Sequence, residues 1–552
     1  MGIPSYFSYI VKNHPEIIKK YFKETFFVSN FYLDSNSIIY DSYAKLNPST
    51  LDENAGITII NDVISKIEEY IQLINPTNKI IIAFDGVAPY AKLKQQRERR
   101  YKSWFQSDII NNLSHETPDQ NCWDKTAITP GTIFMKELNS RIKRHFSPNE
   151  NIIVSGSDEV GEGEHKIFKY IRQNPQHHTK DFNTFIYGLD SDLIMLSINH
   201  LYCCPNIYLF RETPDFIKSI SDELEPNENY ILDISELSNN ISYYMTTENS
   251  DMNINRTHDY ILLCFLLGND FLPHFPSINI RTGGIDKLLL AYKNAIGNFN
   301  ILLTDGKKIN WRNFKLLIRY LAESETQYII DEHGLRNKME NGQKYLLRII
   351  DDENETKEKR IETKIKQFNS TPIYNRQIEK YINPYKFGWQ NRYYKSLFVD
   401  NKYMIYDKRK ISINYLEGIE WTFKYYTTGN IDWMWKYNFS YPPLLQDLLE
   451  YIPDNNNKIF IINSNDCQMS EMVQLCYVLP KKSLHLLPPK LSQVLLNEFP
   501  EWYIDTTMDS FKWAYCRYFW EAHLVSDELD IYEFIHIINN YYPTSRTTAI
   551  LR

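Results

Sequence analysis

Two pairs of acids stand two residues apart in this chain: Glu162 and Glu164 in GEGEHK, and Asp190 and Asp192 in YGLDSDLIML. A D-x-D step leaving an extended run turns both carboxylates to one side, because strand side chains alternate with a period of two. On a helix the same spacing would spread Glu162 and Glu164 by about 200°, so they converge only where the backbone is not yet helical. Gly161 and Gly163 permit that, and HKIFKYIRQ continues as a helix. Asp34 and Asp85 close the short apolar runs FVSNFYLD and NKIIIAFD, as Asp190 closes FNTFIYGLD, and Asp270 follows the helix-like run LLCFLLGND. Taken singly, such acids are caps and turn residues. Gathered in one cleft, these seven carboxylates would repel one another unless cations neutralised them. An oxygen-only ligand set selects magnesium or manganese, and two such ions can stabilise the attacking and leaving oxygens of a phosphodiester displacement.

Directly after Asp85 comes GVAPYAKLKQQRERRYKSW, in which Lys92, Lys94, Arg97, Arg99, Arg100 and Lys102 are opposed only by Glu98. If helical, Lys92, Gln96, Arg99 and Arg100 fall at i, i+4, i+7 and i+8 and share a face. A charge run is ordinarily a solvated face. Beside a candidate metal ligand it is also a candidate phosphate site, since arginine forks and a lysine point charge both bind phosphate. Trp433 and Trp435 in DWMWKY are candidates for stacking on a base, which needs no sequence readout, with core packing the alternative for either ring. His165, His274 and the His177–His178 pair lack the neighbours of a His-rich ligand set and read as structural or exposed.

These residues need a scaffold that gathers strand ends. The first half alternates short, β-rich apolar runs with helical patterns, which predicts an α/β domain on a mostly parallel sheet. In such sheets ligands bind beyond the carboxyl ends of the strands. The stretch DDENETKEKRIETKIK at 351–366 is almost wholly polar and reads as a linker or solvated helix, and the second half mixes its patterns without internal repeat. A length of 552 residues predicts two or more domains, and the net charge of −8 excludes a generally basic coat, so any affinity for nucleic acid must be local. Cys122, Cys203, Cys204, Cys264, Cys467, Cys476 and Cys516 form no C-x-x-C pair and read as reduced thiols. No signal peptide or apolar run of membrane-spanning length is present, and MGIPSY lacks the Ser or Thr that myristoylation requires at position 6. The expected place is intracellular and cytoplasmic, with a nuclear or virion-associated one left open.

In order along the chain, MGIPSYFSYI, LDSNSIIY, FDGVAPYAKLKQQRERR, GEGEHKI, YGLDSDLIML and CFLLGNDFLPHFPSI resemble the first conserved region of the Xrn family of 5′-to-3′ exoribonucleases. LEGIEWTFKYYTTGNIDWMWKYNFSYPP and FPEWYIDTTMDSFKWAY resemble its second. The resemblance implies a PIN-like α/β nuclease domain over 1–350, a polar linker or solvated helix at 351–370, and a second, mixed α/β conserved region over 371–552 that walls the active site. It implies a monomeric enzyme of RNA decay that uses Mg2+, two ions with Mn2+ as a substitute, to release mononucleotides from 5′-monophosphorylated single-stranded RNA. It makes Asp34, Asp85, Glu162, Glu164, Asp190, Asp192 and Asp270 the catalytic metal ligands. Lys92, Gln96, Arg99 and Arg100 become the 5′-phosphate pocket, and Tyr40 a base-stacking residue together with Trp433 or Trp435.

Three departures stand out. Tyr40 occupies a position where the family commonly has His, which keeps stacking but loses imidazole chemistry. Val160 stands where Pro is frequent, and the chain stops at Arg552 without the long extension of the cytoplasmic branch. Two other readings remain at this point: a structure-specific 5′ nuclease acting on DNA flaps, whose DNA-gripping turn GNDFLPHFPSINIRTGG resembles, and a catalytically inactive RNA-binding scaffold.

Overall fold

The strands of the first half are short and apolar because helices cover both faces of the sheet they form. In the computed structural model, which describes residues 2–46, 55–114, 123–248, 253–350, 356–398, 406–456, 458–460 and 469–542, seven strands make one sheet. They are β1 (Ile18–Lys20), β2 (Asn30–Asp34), β3 (Ile80–Ala83), β4 (Ile152–Ser155), β5 (Thr184–Tyr187), β6 (Ile207–Glu212) and β7 (Asn229–Asp233), in the order β1-β7-β6-β5-β2-β3-β4. The run β6-β5-β2-β3-β4 is parallel, and β7 and β1 add an antiparallel edge. Tyr32, Ile81, Ala83 and Ile186 enter the core on one face. Phe31, Leu33, Ile80, Ile82, Phe185 and Tyr187 enter the core on the other. By the same alternation Asp34 leaves β2 on the side of Tyr32.

The order in which strands are added reverses at β2, with β3 on one side and β5 on the other, so the crevice beyond their carboxyl ends is where such a sheet binds its ligand. Three helices bring residues there: α1 (Tyr90–Ser114), α2 (Gly163–Gln173) and α3 (Asp192–His200). The second half is built mainly of helices, among them α4 (Trp311–Ile350), α5 (Lys357–Asn369) and α6 (Lys408–Thr427), with a two-stranded antiparallel ribbon of Phe511–Lys512 and His523–Leu524. Within the polar stretch, residues 351–355 lie outside the described ones, and the rest is α5. That helix is not solvated all round, since Thr363 is buried and Phe368 packs on Phe105 of α1 and on Phe519. Cys122 and Cys467 also lie outside the described residues, and the other five cysteines are free thiols. No helix among the described residues is long and apolar enough to cross a membrane.

One buried charge cluster holds the far end of α4. Glu379 accepts from Arg336 Nε and Nη2 at 2.9 and 2.7 Å and from Arg376 Nε at 2.6 Å, with all three side chains essentially inaccessible. The two arginines hold the carboxyl below its usual range against the opposing effect of burial. Glu379→Gln leaves the buried Arg336 without its ion-pair partner and Arg376 with only Glu340 at 3.4 Å, and breaking a buried pair in this way costs about 3–5 kcal/mol. We expect a clearly lowered urea midpoint for this variant, read by far-ultraviolet circular dichroism.

Candidate active site

Glu162 occupies the N-cap position of α2, yet its side chain makes no capping bond. The helix begins between the two acids, so Glu162 is extended while Glu164 sits in the first turn, and the break lets both carboxylates face the same cleft. Gly161 takes a φ of +110°, and a Cβ on Gly163 would lie 2.4 Å from Asp34 Oδ1, so only glycine lets the helix start this close to β2. Oxygens of Asp34, Asp85 and Glu164 lie within 4.8 Å of one another. A second group joins Glu162 and Glu164 to a ring nitrogen of His165 at the same spacing. Asp85 is fixed by Gly163 N–H at 2.7 Å and by Asn36 Nδ2 at 2.5 Å.

Burial raises Asp34, Asp85 and Glu164 above the ordinary carboxylate range, and the neighbouring acids add to it. Asp192, in the first turn of α3, is pushed up to about 6 by burial and then by Asp270. Asp270 runs the other way. Burial alone would raise it, but Lys92 Nζ at 2.5 Å brings it down to about 2. Lys92 also reaches Glu162 Oε1 at 2.8 Å, and the two acids keep it charged despite its burial. Asp190, beyond β5, is exposed, and its charge is felt by Asp34. Lys92 is therefore engaged by the acids, and Asp34 Oδ1 is buried with no hydrogen-bond partner at all. An acid set in such excess, with an orphaned oxygen at its centre, fits a hard cation.

The basic run of α1 divides by face. Lys94, Arg97 and Lys102 are spent on the second half: Lys94 donates to the Phe439 carbonyl, Arg97 to that of Trp502, and Lys102 to those of Trp520 and Ala522. Gln96 and Arg100 continue the Lys92 face. Gln96 Oε1 is buried without a partner, and Arg100 donates to Thr129 Oγ1 at 2.8 Å and to the Gln96 carbonyl at 3.2 Å. Burial pulls Arg100 down to about 10, and among the described residues neither it nor the exposed Arg99 has an ion-pair partner. Tyr40 is 39% exposed and close enough for its phenol to influence Arg100.

The two tryptophans part company. Trp435 is buried, stacked on Trp421 at 5.4 Å and donating to Glu417, which makes it a packing residue. Trp433 is half-buried, and its carbonyl accepts from Tyr90 N–H at the start of α1. His165 is half-buried and stacked on Tyr425, and desolvation there holds it neutral, while His178 is held by Tyr32 and the Asn174 carbonyl. Sequence reasoning passed over Asn36, Tyr425 and Tyr426. Asn36 stands only two residues beyond Asp34, a local signal, whereas nothing local points to the tyrosines.

A carboxylate cluster stands at the carboxyl edge of a mostly parallel α/β sheet, flanked by a cationic helix. The model of the XRN 5′-3′ exonuclease N-terminus matches residues 1–213, and that of the Xrn1 helical domain matches 251–380 and 350–514. The chain belongs to the Xrn 5′-3′ exonuclease family. The 5′-3′ exoribonuclease 2 of Arabidopsis thaliana is 25% identical, over 90% of this chain and 63% of that protein. The 5′-3′ exoribonuclease 1 of Schizosaccharomyces pombe is 26% identical over 90% and 45%, and that of Saccharomyces cerevisiae 27% over 90% and 40%. The chain thus spans less than two thirds of each of these relatives. Among solved structures, the catalytic core of Rad2 in complex with DNA substrate matches at 14% identity and a TM-score of 0.31, over 62% of this chain and 79% of that one. A likeness that slight carries no argument about substrate.

Proposed function

We propose that this chain hydrolyses 5′-monophosphorylated single-stranded RNA from its 5′ end to mononucleotides, acting in RNA decay. The reading is carried by two opposite electrostatic environments on one helix face. At the start of α1 stands an acid cluster with the unpartnered Asp34 Oδ1, and two turns further the half-buried Arg100 has no ion-pair partner among the described residues. Asp34, Asp85, Glu162, Glu164, Asp190, Asp192 and Asp270 would hold the cations, two magnesium ions with manganese as substitute. Bound there, they would activate water and stabilise charge on the scissile phosphate.

The chain's own residues supply the register. Gln96, Arg99 and Arg100 receive the terminal phosphate, and Lys92 balances charge between that phosphate and the acids. Tyr40 and the half-buried Trp433 hold the first base, while Trp435 supports from within the core. Fixing the 5′ end sets a constant distance to the bond that breaks, so each turnover removes a single nucleotide.

Matched RNA and DNA strands with 5′-phosphate, 5′-hydroxyl or 5′-triphosphate ends, incubated with magnesium or with chelator, test the proposal. With a 5′ label on monophosphate RNA, labelled mononucleotide is expected from the earliest times, and none in chelator. A ladder of labelled oligonucleotides would indicate internal cutting, and preferential cleavage of DNA flaps would favour the flap-nuclease reading. Tight binding without any hydrolysis would leave a scaffold.

A further inference from the structure

The second half touches the acid cluster through two adjacent tyrosines near the end of α6. Tyr425 Oη donates to Glu162 Oε2 at 2.5 Å, and Tyr426 Oη donates to Asp192 Oδ1 at 2.5 Å. Neighbouring helix positions diverge by about 100°. Both hydroxyls reach acids because Glu162 leads into α2 and Asp192 begins α3, and the end of α6 meets both. The two rings are buried. Tyr425 lies in a column of stacked rings, with His165 at 3.6 Å on one side and Trp421 at 4.9 Å on the other, and Trp435 stacks on Trp421. Tyr426 packs on Phe265 at 5.2 Å.

Packing alone would not require the hydroxyls, since phenylalanine fills nearly the same space and stacks as well. What the hydroxyl adds is direction. A carboxylate has about four lone-pair sites, and a donor on one of them sets the plane of the group and aims the others. Glu162 is held on one oxygen by Tyr425 and on the other by Lys92, and Asp192 is held by Tyr426.

We propose that Tyr425 and Tyr426 are positioning residues that orient Glu162 and Asp192 toward a divalent cation, so that the centre of the first half is completed only by α6 of the second. This rests on the metal-centre reading above. Outer partners of metal ligands typically contribute 10–100-fold to metal affinity.

Tyr425→Phe and Tyr426→Phe in the full chain test this by calorimetric titration with manganese, alongside turnover measured against magnesium concentration. Each variant is expected to bind manganese roughly 10–100-fold more weakly, to need correspondingly more magnesium for half-maximal turnover, and to keep its thermal midpoint. Unchanged manganese affinity in both would overturn the proposal. Asp192→Asn serves as the reference. If it too leaves manganese binding intact, the metal-centre reading fails; if it loses binding while the phenylalanine variants keep theirs, only the role of the tyrosines fails. Should Tyr425→Phe disturb the ring column and lose the fold, Tyr426→Phe, which lies outside the column, decides the question.

Discussion

Asp192→Asn should lower turnover of 5′-monophosphate RNA by at least roughly 10³-fold while sparing RNA binding, because it removes a charge that acts on the transition state. The fold should survive. The exchange is isosteric, Asn Oδ1 can still accept from Tyr426, and a neutral amide relieves repulsion with Asp270. In chelator the thermal midpoint is therefore expected to equal or exceed that of the unsubstituted chain, the pattern of a site whose charges favour function over stability. The measurements are single-turnover hydrolysis, binding of a non-hydrolysable RNA, and a thermal melt. Hydrolysis at the unsubstituted rate would remove Asp192 from the centre.

Arg100→Ala should lower kcat/KM for 5′-monophosphate RNA by roughly 10²-fold, because each hydrogen bond to a charged group contributes about 1.5–3 kcal/mol. Turnover of 5′-hydroxyl RNA, which offers the guanidinium no phosphate, should change little, so most of the preference disappears. The unsubstituted chain should also discriminate against 5′-triphosphate ends, although charge alone would favour them. Gln96 is buried and Arg100 half-buried, and a group too large for the wall they form misplaces the scissile bond, where an error of about 1 Å costs roughly 10²-fold in rate. Competition between end-labelled RNAs in one reaction reads all three ratios. Equal digestion of the three ends, or a full preference retained by the variant, would reduce this part of α1 to an ordinary cationic surface.

Much of this site is written in local sequence because its geometry is local. Apolar runs that close on Asp34, Asp85 and Asp190 mark a sheet edge wherever the sheet is parallel, since all its carboxyl ends then lie on one side; β2 ends on Asp34, and Asp85 and Asp190 stand just beyond β3 and β5. The 3.6-residue period separates Lys92, Gln96, Arg99 and Arg100 from the rest of the basic run, and the helix alone imposes that division. Glycines at 161 and 163 signal an irregular helix start, which the positive φ of Gly161 and the contact of Gly163 with Asp34 explain.

Only the tertiary structure decided the rest, because it depends on contacts between separate elements, most of them between residues hundreds of positions apart. Lys94, Arg97 and Lys102 look like their neighbours until carbonyls of the second half take them up. Two identical rings in DWMWKY differ only in what lies against them, and Trp421 makes Trp435 a core residue. The hydroxyls of Tyr425 and Tyr426 meet carboxylates more than 200 residues earlier in the chain. Sequence periodicity determines which way a side chain leaves its own element; packing of one element on another determines what that side chain meets.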